Sequence, residues 1–171
     1  MDTAEVIELA AADSRTREAL VDELYGHGPM LLAAARVITL DNEEARDLVQ
    51  TTFEIALRRL DDLREPRAIR AWLLTIQARE AFRVVRRLRR LVSLDGRVGE
   101  MASHGPDLAQ SADVRRALSA LPRRTRAAIA LHYLAGMTAA ETAFALGVSR
   151  NTVKSQLKTG LNRLREELRD G

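Results

Sequence analysis

The chain has 171 residues, 46% hydrophobic and 30% charged, a length that suits one domain or two small ones. It holds no Cys, which excludes disulfides, Cys-ligated zinc and iron–sulfur sites. Aromatics are only 4%, so the core must come from Leu, Ala, Val and Ile, which favours an all-α fold over a β sandwich.

The net charge of +3 hides an uneven distribution. Residues 1–65 carry 7 basic and 15 acidic side chains, whereas residues 66–92 carry 8 basic and 1 acidic. Residues 93–120 are near balance, and residues 121–171 carry 9 basic and 4 acidic. Two separated basic segments point to two contacts with a polyanion, while the acidic start suits a protein partner. Residues 1–12 are acidic and lack the basic start of a secretory signal. No apolar run reaches the ~18–20 residues that span a membrane, so neither membrane insertion nor a place outside the cytoplasm is expected.

In chain order, helical spacing begins at Arg15 to Tyr25, breaks at Gly26 and Gly28-Pro29, and resumes from Met30 to Thr39. Asp41 or Asn42 is placed to cap the next helix, with Glu43 and Glu44 in its first turn. That helix carries Ala45, Leu48, Val49, Phe53, Ala56, Leu57 and Leu60 on one side. Asp61-Asp62 and Pro66 frame a loop. A third helix is expected from about Arg67 to Arg90, opening with the stripe Ile69, Trp72, Leu73 and Ile76. It ends with Arg79, Arg83, Arg86 and Arg90 along one face. Trp72 shares the apolar stripe, which favours a core role over a stacking one. Residues 93–111 hold Gly96, Gly99, Gly105 and Pro106 without periodicity and read as a flexible linker. The expected boundaries are 1–92 for a first domain, 93–111 for the linker and 112–171 for a second domain, with Pro122 in the first turn of a helix.

The stretch from Thr138 to Lys154 reads as a helix-turn-helix. Ala143 is small enough for a close helix crossing, and Gly147 sits where the turn wants positive φ. Ser149 is an N-cap for the second helix, whose buried side is expected to be Val153, Leu157, Leu161, Leu164 and Leu168. The opposite side shows Arg150, Asn151, Lys154, Ser155 and Lys158, side chains that can read base edges or grip phosphates in a major groove.

The run Leu121-Pro122-Arg123-Arg124-Thr125-Arg126, then Leu131 to Thr138, then the helix-turn-helix, resembles the C-terminal domain of sigma-70 family factors, nearest the extracytoplasmic-function (ECF) subgroup. The resemblance implies that Ser149, Arg150, Asn151, Lys154, Ser155 and Lys158 face the minus-35 promoter element. Arg123 and Ala127 stand where the family often has acidic residues, which should change surface charge near that domain's first helix. In the N-terminal half, Asp47-Leu48-Val49-Gln50-Thr51-Thr52-Phe53 resembles the family's D-L-V-Q-E-T-F signature, with Thr51 in place of Glu. That likeness implies docking on the polymerase β′ subunit through Asp47, Gln50 and Glu54, with Leu48, Val49 and Phe53 packed inside. Arg70-Ala71-Trp72-Leu73 to Ile76 resembles R-A-W-L-x-x-I, while Gln77-Ala78-Arg79 and Arg83 depart from the family's A-R-N and later Asp. The resemblance places minus-10 DNA at the loop from Asp61 to Ile69 and the helix after it, with Arg64, Arg67, Arg79, Arg83, Arg86, Arg87 and Arg90 as contacts.

The implied architecture is two small helical domains, one sigma region 2-like and one region 4-like with the helix-turn-helix. The implied function is an alternative sigma factor that binds core RNA polymerase (β′ and β subunits) and directs promoter-specific initiation. Promoter DNA is its second partner and an anti-sigma protein its third, with no cofactor, no metal and no catalysis of its own. His27, His104 and His132 lie far apart in sequence and read as surface histidines, and no serine sits in a nucleophile motif. A recombinase would announce itself by strand cleavage. A one-component regulator of LuxR-like type would need a ligand or receiver domain, and residues 1–90 show no strand–helix alternation to build one.

Overall fold

Helix boundaries follow the caps. The structure, a computed structural model, describes residues 17–92 and 112–169, with side chains described at 17–83 and 112–169. Helix α1 covers 17–26, and only His27 separates it from α2 (Gly28–Thr39), where Pro29 takes a first-turn position that needs no N–H donor. Leu40 ends α2 in the left-handed region at φ 59°, its N–H bonded to Arg36 O. Asp41 then caps α3 (Asn42–Arg58) by accepting from the Glu44 N–H at 2.8 Å, with Glu43 and Glu44 at the positive end of the helix dipole. Short 3-10 turns at Leu60–Asp62 and Pro66–Ala68 lead into α4 (Ile69–Val92), so the long helix starts at the first residue of its apolar stripe, two residues after the expected Arg67.

Helices α2, α3 and α4 pack against one another. Leu31, Ala34, Ala35 and Ile38 meet Leu48 and Ala56, and Ile69, Leu73 and Ile76 fill the third side. Trp72 packs against this core but stays half-buried. Gln77 is fully buried, and its amide donates to Leu31 O at 2.9 Å, tying α4 to α2.

The second half begins with α5 (Ala112–Ser119) and α6 (Arg123–Ile129). Pro122 stands one place outside α6, as its N-cap. The chain then loosens into a π turn at Ala130–Leu134, closed by Ala135 N–H on Ala130 O. Helices α7 (Ala139–Leu146) and α8 (Arg150–Arg169) form the helix-turn-helix. Thr138 and Glu141 make a reciprocal capping box at the start of α7. Gly147 takes φ 64°, and Val148 N–H bonds back to Ala143 O, closing the turn as the sequence requires. Ser149 caps α8 by accepting from Thr152 N–H at 3.0 Å. The apolar side of α8 is shorter than its period suggests. Val153 and Leu157 are buried, Leu161 and Leu164 are half-buried, and Leu168 is 48% exposed, so the cover thins toward the end of the helix.

The two halves share one apolar cluster. Helix α2 packs on α6 and the π turn, and α4 packs on α7. The flexible linker expected over 93–111 lies outside the described residues.

Gly160 marks where α8 crosses closest. A Cβ there would stand 2.6 Å from Thr125 Cγ2 and 2.9 Å from Ile129 Cδ1, both on α6. Gly160→Ala should therefore lower the urea midpoint of unfolding. Overpacking costs ~1–3 kcal/mol, which exceeds the ~1 kcal/mol gained from helix propensity. A raised midpoint would mean that α6 yields freely.

Candidate functional site

Three surfaces emerge from this frame. On α8, Arg150, Asn151, Lys154, Ser155 and Lys158 are all exposed, on the side away from buried Val153 and Leu157. Ser149 is exposed too, but its hydroxyl already holds the helix start. The cap fixes the first turn, where a recognition helix meets base edges.

On α3, Asp47, Gln50 and Glu54 are exposed together, and the Gln50 amide donates to Glu54 at 3.1 Å. Leu48 is buried as expected, whereas Val49 and Phe53 are only partly covered. They line an open groove of about 560 Å³ with Tyr25, Leu32 and Leu57, and Arg46, Gln50 and Glu54 stand at its edges. Tyr25 is 51% exposed and leans on Phe53 with ring centroids 5.0 Å apart. The groove is an apolar extension of the acidic face, lined by Tyr25 of α1, Leu32 of α2 and Val49, Phe53 and Leu57 of α3.

The third surface is α4 with the loop before it. Arg64 and Arg67 are exposed in that loop. Arg83 is exposed and paired with Glu80 at 2.6 Å. Arg79 is exposed but lies over the Phe144 ring of α7, its guanidinium carbon 5.1 Å from the centroid. The side chains of Arg86, Arg87 and Arg90 lie outside the described residues.

Two expectations are corrected. His27 and His132 are partly buried rather than surface residues, and His132 Nδ1 lies 2.7 Å from Met137 O; His104 lies outside the described residues. Ala127 is fully buried, so its departure from an acidic residue changes the core and not the surface, while Arg123 pairs with Glu44 of α3. Among the described residues, no group of three or more His, Asp or Glu gathers as a metal would require, and no helix is long and apolar enough to cross a membrane.

Comparison with known proteins bears on both halves. The family model for sigma-70 region 2 matches residues 24–91, and that for sigma-70 region 4 matches residues 111–164. The ECF RNA polymerase sigma factor SigL of Mycobacterium tuberculosis is 32% identical over 174 residues, covering 98% of this chain and 97% of its own. The chain belongs to the sigma-70 family, in its ECF group. Among solved structures, the sigma factor RpoE of Bartonella quintana, in complex with the anti-sigma factor NepR, is similar with a TM-score of 0.75 and 31% identity, over 86% of this chain and 95% of that one. CnrH, a sigma factor of Cupriavidus metallidurans solved with the cytosolic domain of CnrY, is similar with a TM-score of 0.64 and 29% identity, over 94% of each chain. As a sigma factor of this family, the protein serves RNA polymerase in promoter-specific initiation, and the LuxR-like reading falls away.

The sequence reading missed the arginines that join the two halves of this sigma factor. Arg126, 5% exposed, donates to Leu121 O in its own half and to Ile38 O at the end of α2. Arg115 donates to Leu40 O, and Arg70 to Ala135 O at 2.6 Å. Their carbonyl partners in the other half lie 65 to 88 residues away, so the sequence carried no signal beyond the charge itself.

Glu141 gives this sigma factor a readable titration. The Thr138 backbone N–H donates to its carboxylate at 2.7 Å and the Thr138 hydroxyl at 2.8 Å, and together they hold its pKa below the ordinary 4.5; nearby Arg70 adds to the effect and partial burial opposes it. A carboxyl lowered in the folded state contributes stability that is complete above the unfolded value and is lost as pH falls through the folded one. Glu141→Gln should thus lower the urea midpoint at pH 7, with the gap to the parent closing as pH drops below about 4.5. A gap independent of pH would remove the charge from this account.

Proposed function

We propose that the three surfaces divide the work of initiation. The α3 face of Asp47, Gln50 and Glu54 docks the chain on the polymerase β′ subunit, and the second domain contacts β. The loop carrying Arg64 and Arg67, and the α4 stripe of Arg79, Arg83, Arg86, Arg87 and Arg90, engage minus-10 DNA. Ser149, Arg150, Asn151, Lys154, Ser155 and Lys158 engage the minus-35 major groove. The proposed units are 1–92, 93–111 and 112–171. The observation that carries this reading is the exposed polar face of the capped helix α8, in a chain that also presents an acidic face on α3. An acidic helix suits a basic protein surface, and a basic helix suits a polyanion.

The chain works in the cytoplasm, brings no catalytic group of its own, and leaves the chemistry to the polymerase. An anti-sigma protein is its regulator; the support is that RpoE was solved with the anti-sigma factor NepR.

Run-off transcription with core polymerase, on a pool of promoter fragments, should give specific transcripts only when the protein is added. Transcripts that appear equally without the protein would remove these surfaces from promoter selection. Lys154→Ala should weaken promoter binding and flatten its log–log salt dependence by about one unit, the loss of a single phosphate contact. An unchanged slope would take Lys154 off the phosphate. Asp47→Arg should weaken binding to core polymerase by about tenfold, or ~1.4 kcal/mol, with promoter half-site binding by α8 unaffected.

A further inference from the structure

Of the 27 Lys and Arg side chains in this chain, only Lys154 and Lys158 are lysines, and the other 25 are arginines. Both lysines lie on α8, in the exposed face assigned above to minus-35 DNA. They stand four residues apart, or about 6 Å of helical rise, and Arg150 lies one turn before Lys154. All three side chains are exposed. Among the described residues, neither lysine has an ion pair or a hydrogen bond, so both amines are open to solvent.

The two kinds of cation differ in chemistry. A guanidinium holds its proton far above neutral pH and offers no nucleophile. An ε-amine that gives up its proton exposes a lone pair on Nζ, which is why lysine is the residue that acylation reaches. Arginine at every other basic position leaves the stripe on α4, and the arginines between the halves, inert toward an acyl donor. No cysteine thiol competes. Side-chain amine chemistry in this chain is thus confined to one place, the face of α8 that meets DNA. Arg150 adds a fixed positive charge beside that place, which draws an anionic donor toward Lys154.

We infer that Lys154 and Lys158 are an acylation site, that an acyl phosphate is the donor, and that the reaction switches off minus-35 binding. The neutral Nζ attacks the carbonyl carbon of the donor. The C–N bond of an amide forms, the C–O bond to phosphate breaks, and inorganic phosphate leaves with the electron pair. The amine proton passes to water, and nothing is oxidised or reduced. Each acyl group removes one positive charge from the DNA face. Two phosphate contacts, at a log–log slope of ~0.9 each, amount to roughly thirtyfold in affinity at ~0.15 M salt, counted from 1 M. An ammonium that already grips a phosphate is protonated and covered, so promoter-bound protein resists the reaction. The inference rests on the minus-35 reading above.

The test treats the full chain with acetyl phosphate in mildly alkaline buffer, alone and with excess promoter fragment. Peptide mapping should place acetyl groups on Lys154 and Lys158 in free protein. The fragment should suppress both, while the α-amino group, as internal standard, reacts equally in the two samples. Treated protein should bind the fragment roughly thirtyfold more weakly, with the salt slope lowered by about two units. The double variant Lys154→Arg, Lys158→Arg keeps the charge and removes the nucleophile. Compared with its own untreated form, it should show no such loss. Acetyl groups confined to the α-amino group would overturn the proposal. So would unchanged binding by protein that carries both adducts, or an equal loss in the double variant. Each of these leaves the minus-35 reading intact. Failure of untreated protein to bind any promoter element would instead sink that reading, and the switch with it.

Discussion

A buried guanidinium organises this molecule. Arg126 cannot leave water without replacing its hydrogen bonds, because an unpaired buried charge costs several kcal/mol. Its own domain supplies Leu121 O, and α2 supplies Ile38 O. Satisfying Arg126 therefore sets α6 at the end of α2, and once α6 is there the π turn lies along α2 and α7 falls on α4. The same end of α2 is also where Leu40 turns left-handed and Asp41 begins α3. One helix terminus thus carries a chain reversal, a cap and the junction between domains.

A hydrogen bond to a charged group contributes about 1.5–3 kcal/mol net, since water offers competing partners. Arg126, Arg115 and Arg70 each place such a bond between the halves, on Ile38 O, Leu40 O and Ala135 O. They act beside the apolar cluster that both halves share. Gln77 plays a like part within the first domain, where its fully buried amide donates to Leu31 O.

Much of the architecture was legible because it is local. Asp41 and Ser149 are caps whose partners lie three residues on, and Gly147 is required by its own backbone angle. The exposed face of α8 follows from Val153 and Leu157 by helical period alone. Period tells which side of a helix is apolar but not how far the cover extends, which is why Leu168 was assigned to a core that ends earlier. It also could not show that Val49 and Phe53 border a groove, because that depends on where Tyr25 of α1 and Leu32 of α2 lie against α3. The arginines were least legible. Arg115 and Arg126 find carbonyls 75 and 88 residues away, and the sequence offers only their charge. The charge suggested DNA, and for Arg126 the structure uses it to cap a helix.

The junction between the halves is built from other residues than the faces assigned to polymerase and to minus-35 DNA. Asp47, Gln50 and Glu54 on α3 are exposed with both halves in contact, and so are Arg150, Asn151, Lys154 and Lys158 on α8. The arginines that cross between the halves, Arg70, Arg115 and Arg126, instead end on backbone carbonyls. Arg79 belongs to both groups, since it is an exposed DNA candidate of α4 whose guanidinium lies over Phe144 of α7. The same residue type thus serves the junction where it meets a carbonyl and remains available to a polyanion where it faces solvent.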